Sequence, residues 1–317
     1  MTNTIRPSLQ RNPVREFIHE VRKHWILMLM LLPSIIYFIV FCYIPMGGVY
    51  IAFVNFNIGK GIFGSPFVGL NNFKFLIKTG KLWMITKNTL LYNLVFIGLG
   101  NILQIMFAIM LAEIGGKVFK RTAQSVMLFP NFISYVIVGV FAYNMFNTDY
   151  GFINTLLTQA GFERYSFYSD PGIWKYIIVI FKFWHDTGYG MIVYLAAITG
   201  LDASLYEAAK IDGANQWQRI RYITVPLLRP TFVLLLLFSL GGIMRGSFDL
   251  FYNLIGTNSI LYPQTDIIDT FVYRSLLGQP NFSQSAAVGV YQSVFGLILV
   301  TLVNFAVKKI EPDYALF

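Results

Sequence analysis

Apolar residues in this chain gather into six long runs: Trp25–Ile44, Ile85–Ala112, Thr122–Phe146, Ile173–Thr199, Leu227–Ser247 and Ala286–Val307. Each approaches or exceeds the ~20 residues a helix needs to cross the hydrocarbon core of a bilayer. The pattern predicts an all-α polytopic membrane protein of six transmembrane helices. A polar leader, 1–24, precedes one transmembrane domain, 25–317. The first run is longer than the ~7–15 apolar residues of a secretory signal and has no small-residue cleavage site, so it predicts a retained helix. Between runs one and two, Gly69-Leu70-Asn71-Asn72-Phe73 predicts a turn into a short amphipathic helix, with Phe73, Leu76 and Ile77 on its apolar face.

Composition strengthens the membrane reading. Hydrophobic residues make up 56% of the 317 and charged residues only 12%, about half the ~25% charge of soluble domains. The net charge of +9 is distributed by side. Arg6, Arg11, Arg15, Arg22 and Lys23 precede the first run. Lys117, Lys120 and Arg121, then Lys210, Arg219, Arg221 and Arg229, then Lys308 and Lys309, fall on that same side. Lys60, Lys74, Lys78, Lys81, Arg164 and Arg274 fall on the other. The excess predicts a bacterial inner, cytoplasmic membrane protein with both termini and the 201–226 loop in the cytoplasm. The first outer loop, with its lysines and no acid, runs against the rule. The charge calls for a lipid partner and no nucleic acid. Cys42 is the only cysteine, so no internal disulfide exists. His19, His24 and His185 lack metal-ligand spacing, and no Gly-rich phosphate loop or nucleophile–base pattern occurs. The chain carries no cofactor or enzyme signature of its own.

The polar island Tyr206–Pro230 interrupts the oily C-terminal half. Leu205–Ile211 favours a short helix, Gly213 suits a left-handed stop, and Asn215 suits the cap of a second helix, Gln216–Ile223. Pro226 and Pro230 fall where the next transmembrane helix begins, a place that tolerates a missing N–H. Ala208 and Ala209 leave a surface without bulk, and Glu207 and Asp212 offer carboxylates. Composition alone equally allows an amphipathic loop lying on headgroups. The spacing Glu207-Ala208-Ala209, Asp212-Gly213-Ala214, Ile223, Pro226, Pro230 resembles the EAA motif of ABC-importer permeases. Tyr43-Ile44-Pro45, Gly69–Phe73, Asn88-Thr89, Asp269-Thr270-Phe271-Val272-Tyr273-Arg274 and Ala286-Ala287-Val288-Gly289 extend the resemblance to carbohydrate and oligosaccharide permeases related to the maltose permease. Ile220 departs from it, since the family often has Phe there. The resemblance implies a type I ABC importer permease fold, with a coupling loop that docks on an ATPase through Tyr206, Glu207, Ala208, Ala209, Asp212, Gly213 and Ala214. It implies as partners a second homologous permease, two ATP-binding subunits that hold ATP and magnesium, and an extracytoplasmic solute-binding protein.

Charges at membrane depth are expensive and face an interior or a cavity. Lys182 and Asp186 stand four apart in run four, beside Trp184, and predict either a sugar-facing wall or a neutralised pair that packs helices. Arg245 and Asp249 repeat the spacing in run five. Asn93, Asn131, Tyr135, Tyr291 and Gln292 complete the candidate pathway, with helix–helix hydrogen bonding the competing role. Pro130 predicts a kink in run three. An ion-coupled secondary transporter using Lys182 and Asp186 is the alternative function; it predicts no ATPase partner.

Overall fold

The structure is a computed structural model and describes residues 22–277 and 280–310. Most of the basic leader, including Arg6, Arg11, Arg15 and His19, lies outside the described residues. The described chain is helical, with one isolated bridge, Val54 to Phe67.

The first run forms α1, Trp25–Phe38, which continues without interruption through a π turn, Ile39–Tyr43, and a 3₁₀ segment, Ile44–Phe53. The first span therefore continues past Ile44, where the first apolar run ends. Proline has no N–H and its ring clashes with the carbonyl four residues back. The wider π turn precedes Pro45, which then falls in the first turn of the 3₁₀ segment, where no bond is asked of it. The same device recurs at Pro226, after a π turn at Ile220–Thr224.

Helix α2, Asn71–Lys78, follows the turn at Gly69. Asn72 donates to the carbonyls of Ala52 (2.9 Å) and Val54 (3.1 Å), tying α2 to the end of the first span. Leu76 is buried and Phe73 half-buried, but Ile77 points outward, so the apolar face is narrower than expected. Helices α3, Lys81–Glu113, and α13, Phe282–Ile310, are single spans. Three further candidates are helix pairs joined at a bend, Lys117–Phe132 with Tyr135–Phe146, Pro171–Thr199 with Ala203–Ile211, and Gln216–Leu227 with Arg229–Gly241, so the described residues hold three spans, or up to six when each bent pair is one span.

Run three was expected as one kinked helix. It is split by 94° into α4, Lys117–Leu128, and α5, Tyr135–Phe146. Pro130 sits in the 3₁₀ turn Phe129–Phe132, and Ile133 and Ser134 are extended, so no helical hydrogen bond crosses the joint. Helix α6, Phe152–Gln159, leads to α7, Pro171–Thr199, whose cap is Asp170. Helix α8, Ala203–Ile211, and α9, Gln216–Arg219, make the polar island. Helix α10, Arg229–Gly241, ends well short of Ser247; the chain turns through 242–247 and re-enters helix as α11, Phe248–Ile255. Helix α12, Ile268–Arg274, precedes α13.

Helix α3 packs along α7, α5 against α11, and α13 against the 3₁₀ part of the first span. Trp174, Ile178, Leu250, Phe251 and Leu254 build the core at the end away from α8. Ala108, Leu111, Met191, Tyr194 and Leu228 build the one nearest to it. Large apolar side chains such as Leu94, Leu99, Ile180, Leu297 and Phe305 stand exposed along the spans, a surface that only lipid or another apolar subunit can cover.

Candidate functional site: an exposed helical loop joined to an intramembrane polar cluster

Helix α8 starts where Asp202 accepts the N–H of Ser204 at 2.9 Å, a cap three residues earlier than the sequence reading placed the helix start. That hydrogen bond holds the Asp202 carboxyl below its ordinary 3.8. The cap is therefore fully charged near neutrality and is lost only as pH falls through the lowered value. The helix stops at Gly213, with φ +82. Gly213 N–H bonds the Lys210 carbonyl at 3.1 Å, and Ala214 N–H bonds the Ala209 carbonyl at 2.8 Å, the paired bonds of a Schellman stop. Asn215 then caps α9 in a reciprocal box: its side chain accepts from Gln218 N–H (2.9 Å), and its own N–H donates to Gln218 Oε1 (2.8 Å).

None of the residues of α8 or α9 is buried. Glu207, Ala208, Asp212 and Gly213 are exposed, Ala209 and Ala214 half-buried. Ile211 and Trp217 show 87% and 68% of their surface, apolar exposure on a charged loop. Tyr206 is different: it is half-buried, and its hydroxyl meets Thr224 Oγ1 at 2.9 Å. It braces α8 against the start of the next span and does not face outward. Gln216 donates to Glu113 at 3.0 Å, fastening the loop to the end of α3.

A second polar set lies inside the bundle. Lys182 and Asp186 form an ion pair at 2.6 Å. Asp186 also takes Tyr135 OH at 3.0 Å and His185 Nδ1 at 2.5 Å. His185 Nε2 lies 2.9 Å from the Ile133 carbonyl, so Ile133, His185 and Tyr135 bind both sides of the α4–α5 break to α7. The Tyr135 and His185 rings stack at 4.2 Å. Lys182 Nζ donates to Ser247 Oγ at 2.9 Å, reaching the turn between α10 and α11. Trp184 is exposed and stacks on Phe141. Asn131 lies half-buried in the 3₁₀ turn.

Asn93 and Gln292 both reach the 242–247 turn. Asn93 donates to the carbonyls of Ile243 (2.9 Å) and Arg245 (3.0 Å), and Gln292 to that of Met244 (2.7 Å). Asp269 accepts Gly246 N–H at 2.7 Å. These side chains bond backbone groups of the 242–247 turn, alongside the bonds of Gly242 and Ile243 N–H to the last carbonyls of α10. Tyr291 accepts from Thr86 at 3.1 Å, a bond between α13 and α3. Among the described residues no ion pair joins Arg245 to Asp249. The four-residue spacing makes neighbours only within one helix, and the chain is non-helical between them. Arg245 is left exposed. The sequence reading missed the pair Arg274–Asp266, joined at 2.6 Å and 3.1 Å with Asp266 buried and the guanidinium 3.8 Å over the Tyr262 ring. Eight residues separate the two, beyond any helical pairing rule, and no local signal marks it.

Loop and cluster are connected. Only Gly200–Asp202 separate α7, which carries Lys182 and Asp186, from α8. From the other side of the loop, α9 runs through the π turn and Pro226 into α10, which ends at the turn holding Ser247. Helix α7 thus meets the turn that follows α10 at the Lys182–Ser247 bond.

Three to six candidate spans around buried polar groups, with an exposed helical loop between two of them, define a polytopic membrane protein. The chain belongs to the family of binding-protein-dependent transport system inner membrane components, whose model matches residues 104–314. It is 36% identical to the polygalacturonan/rhamnogalacturonan transport system permease protein YteP of Bacillus subtilis over 287 residues, 90% of this chain and 89% of that one. It is 30% identical to the trehalose/maltose transport system permease protein MalF of Thermococcus litoralis over 72% of this chain and 76% of that one. Its fold matches a solved bacterial ABC transporter involved in import of the acidic polysaccharide alginate, with a TM-score of 0.84 and 31% identity over 93% of this chain and 99% of that one. The fold is that of type I ABC importer permeases.

Proposed function

We propose that this chain is one permease subunit of an ATP-driven importer that moves a carbohydrate, an oligosaccharide or polysaccharide fragment, delivered by an extracytoplasmic binding protein. The observation that carries the reading is an exposed loop that leads on one side into α7 and on the other, through α10, to the turn whose Ser247 bonds Lys182 of α7. Both termini and the loop lie in the cytoplasm on this reading, as the Lys and Arg distribution requires. Glu207, Ala208, Ala209, Asp212, Gly213 and Ala214 form the surface offered to an ATP-binding subunit, with Tyr206 as its brace. Two such subunits hold ATP and magnesium. Their closure pushes α8 and α9, α7 and α10 move together, and the polar cluster turns outward; hydrolysis resets it. This chain performs no bond chemistry.

The carbohydrate class is supported by relatives named for polygalacturonan, maltose and alginate transport. Tyr135, Lys182, Trp184, Asp186 and Asn131 are the proposed pathway residues; Asn93, Tyr291 and Gln292 support them from behind. Arg245, exposed at the break in the fifth span, fits a uronate carboxylate. A solved alginate transporter complex includes a pentasaccharide-bound periplasmic protein, which supports the delivery step. The second permease is a different, related chain. The exposed first span supports this partner, since no residue of α1 is buried.

The test is uptake by reconstituted transporter with its binding protein. The expected result is uptake that requires ATP and a co-purifying ATPase, with Arg245→Gln reducing uronate-oligosaccharide uptake about tenfold, the size of one charge-assisted contact. Uptake that persists without the ATPase and collapses with an ion gradient overturns the reading.

A further inference from the structure

The run Asp269-Thr270-Phe271-Val272-Tyr273-Arg274 contributes no side chain to the Lys182–Asp186 cluster or to the exposed loop. Its acidic and basic residues are used differently. Arg274 is spent on the buried carboxylate of Asp266, which also accepts Thr270 Oγ1 at 2.8 Å. Asp269 is half-buried, and among the described residues no ion pair reaches it. Its Oδ2 accepts the N–H of Gly246 at 2.7 Å, and Gln292 Nε2 lies 3.4 Å away.

The start of α12 is fixed to α3. Asn88 Nδ2 donates to the Asp266 carbonyl (3.0 Å), Thr89 Oγ1 accepts the Ile268 N–H (3.0 Å), and Tyr92 OH donates to the Gln264 carbonyl (2.9 Å). Asn93, on the same helix, holds the carbonyls of Ile243 and Arg245. Asp269 closes the circuit: α3 holds the start of α12, α12 holds Gly246, and α3 holds the turn again through Asn93. The space is matched to this bond. A Cβ on Gly246 would fall 2.2 Å from Ile267 Cδ1 and 2.9 Å from Asp269 Oδ2, so a side chain there would push the turn away from α12.

Gly246 lies between the two residues of the turn that carry chemistry. Arg245 is exposed, and Ser247 accepts Lys182 Nζ at 2.9 Å. Backbone outside a helix at membrane depth has many ways to settle, so long as each polar group finds a partner. A charge-assisted bond from a fixed helix is short and strong, and it selects one of them.

We propose that Asp269 is a positioning residue. By holding the Gly246 N–H to the fixed start of α12, it sets where Arg245 and Ser247 stand, and so sets the preference of the path for acidic over neutral oligosaccharides. The proposal rests on the carbohydrate-importer reading, in which Arg245 meets a uronate carboxylate, and deepens it.

The test measures the ratio of uronate to neutral oligosaccharide uptake in the complete reconstituted transporter. Asp269→Ala is expected to lower that ratio about tenfold, the loss expected of Arg245→Gln. Asp269→Asn keeps an acceptor for the Gly246 N–H and is expected to restore most of it. Asp269→Ser, too short to reach Gly246, is the second variant and is expected to match Asp269→Ala. Asp269→Ala combined with Arg245→Gln is expected to be no worse than Arg245→Gln alone, because both act on one contact. A second readout is independent of cargo. In a Cys42→Ser background, the thiol of Arg245→Cys is expected to react faster with a small charged methanethiosulfonate once Asp269→Ala is added. Equal losses for uronate and neutral cargo, losses that multiply in the double variant, or Asp269→Asn as poor as Asp269→Ala would overturn the positioning role. So would failure of both Asp269→Ala and Asp269→Ser to assemble, or an unchanged labelling rate. If Arg245→Gln by itself leaves the ratio unchanged, the parent reading of Arg245 fails instead, and the labelling rate alone decides the role of Asp269.

Discussion

Gly213 shows how much one position can decide. Its φ of +82 closes α8, and a Cβ there would meet nothing within 4 Å. Space is therefore no obstacle, and the cost of a side chain is the left-handed conformation itself, about 1–2 kcal/mol. In Gly213→Leu the stop opens, α8 loses its angle to α9, and Glu207 and Asp212 no longer share a face with Ala214. The expected outcome is at least a tenfold loss of ATP-dependent uptake with normal membrane insertion, measured by transport and by membrane-fraction immunoblotting. Unchanged uptake would refute the docking geometry. Tyr206 carries the complementary lesson. Its place in the motif suggested contact with a partner, yet its hydroxyl is committed to Thr224 within the chain.

Helix breaks do most of the positioning. The joint at Phe129–Ser134 exposes the Ile133 carbonyl to His185 and brings Tyr135 to Asp186. The turn 242–247 brings Ser247 to Lys182. Irregular backbone at membrane depth persists only where protein or a water-filled cavity satisfies it, and here Asn93, Gln292 and Asp269 do so. The ion pair is therefore part of the joint between α7 and the α10–α11 turn. Lys182→Met combined with Asp186→Leu removes both charges without stranding either. The double variant is expected to insert and assemble but to lose transport or change oligosaccharide preference by at least about fivefold. Each single variant leaves a lone charge and is expected to be worse, at ~3–5 kcal/mol of stability. Uptake assays beside thermal-shift measurements separate the two effects. A double variant with normal uptake and preference makes the pair purely structural.

The assembled bundle leaves its first span largely uncovered. Helix α1 has no buried residue, while the far end of that span, from Ile44 onward, packs on α13. Helix α2, through Asn72, holds its far end. An apolar helix open along its length is suited to bind a second permease. Deleting the first 43 residues is expected to abolish co-purification of that partner while α3 to α13 stay folded, judged by pull-down and far-ultraviolet circular dichroism. Retention of the partner would place the subunit contact elsewhere.

Much of this was legible from the chain alone. Long apolar runs, the Gly213 stop and the Asn215 cap are local properties, set by solvent, backbone sterics and spacing within a few residues. Each therefore reads correctly without knowledge of the fold. Lys182 and Asp186 were also legible, because four residues on an unbroken helix bring them together. Arg245 and Asp249 have the same spacing but do not pair, because the helix stops at Gly241. Nothing local marks the Arg274–Asp266 pair, the clamp of Asn93 and Gln292 on a distant turn, or the meeting of Gly246 with Asp269. Those contacts join positions far apart in the chain, and only packing chooses among the many partners that polar side chains and glycines could take. The sequence by itself determined the apolar runs and the two short helices of the polar island; the tertiary structure decided where the runs bend and which polar groups meet, because those contacts depend on packing between distant segments.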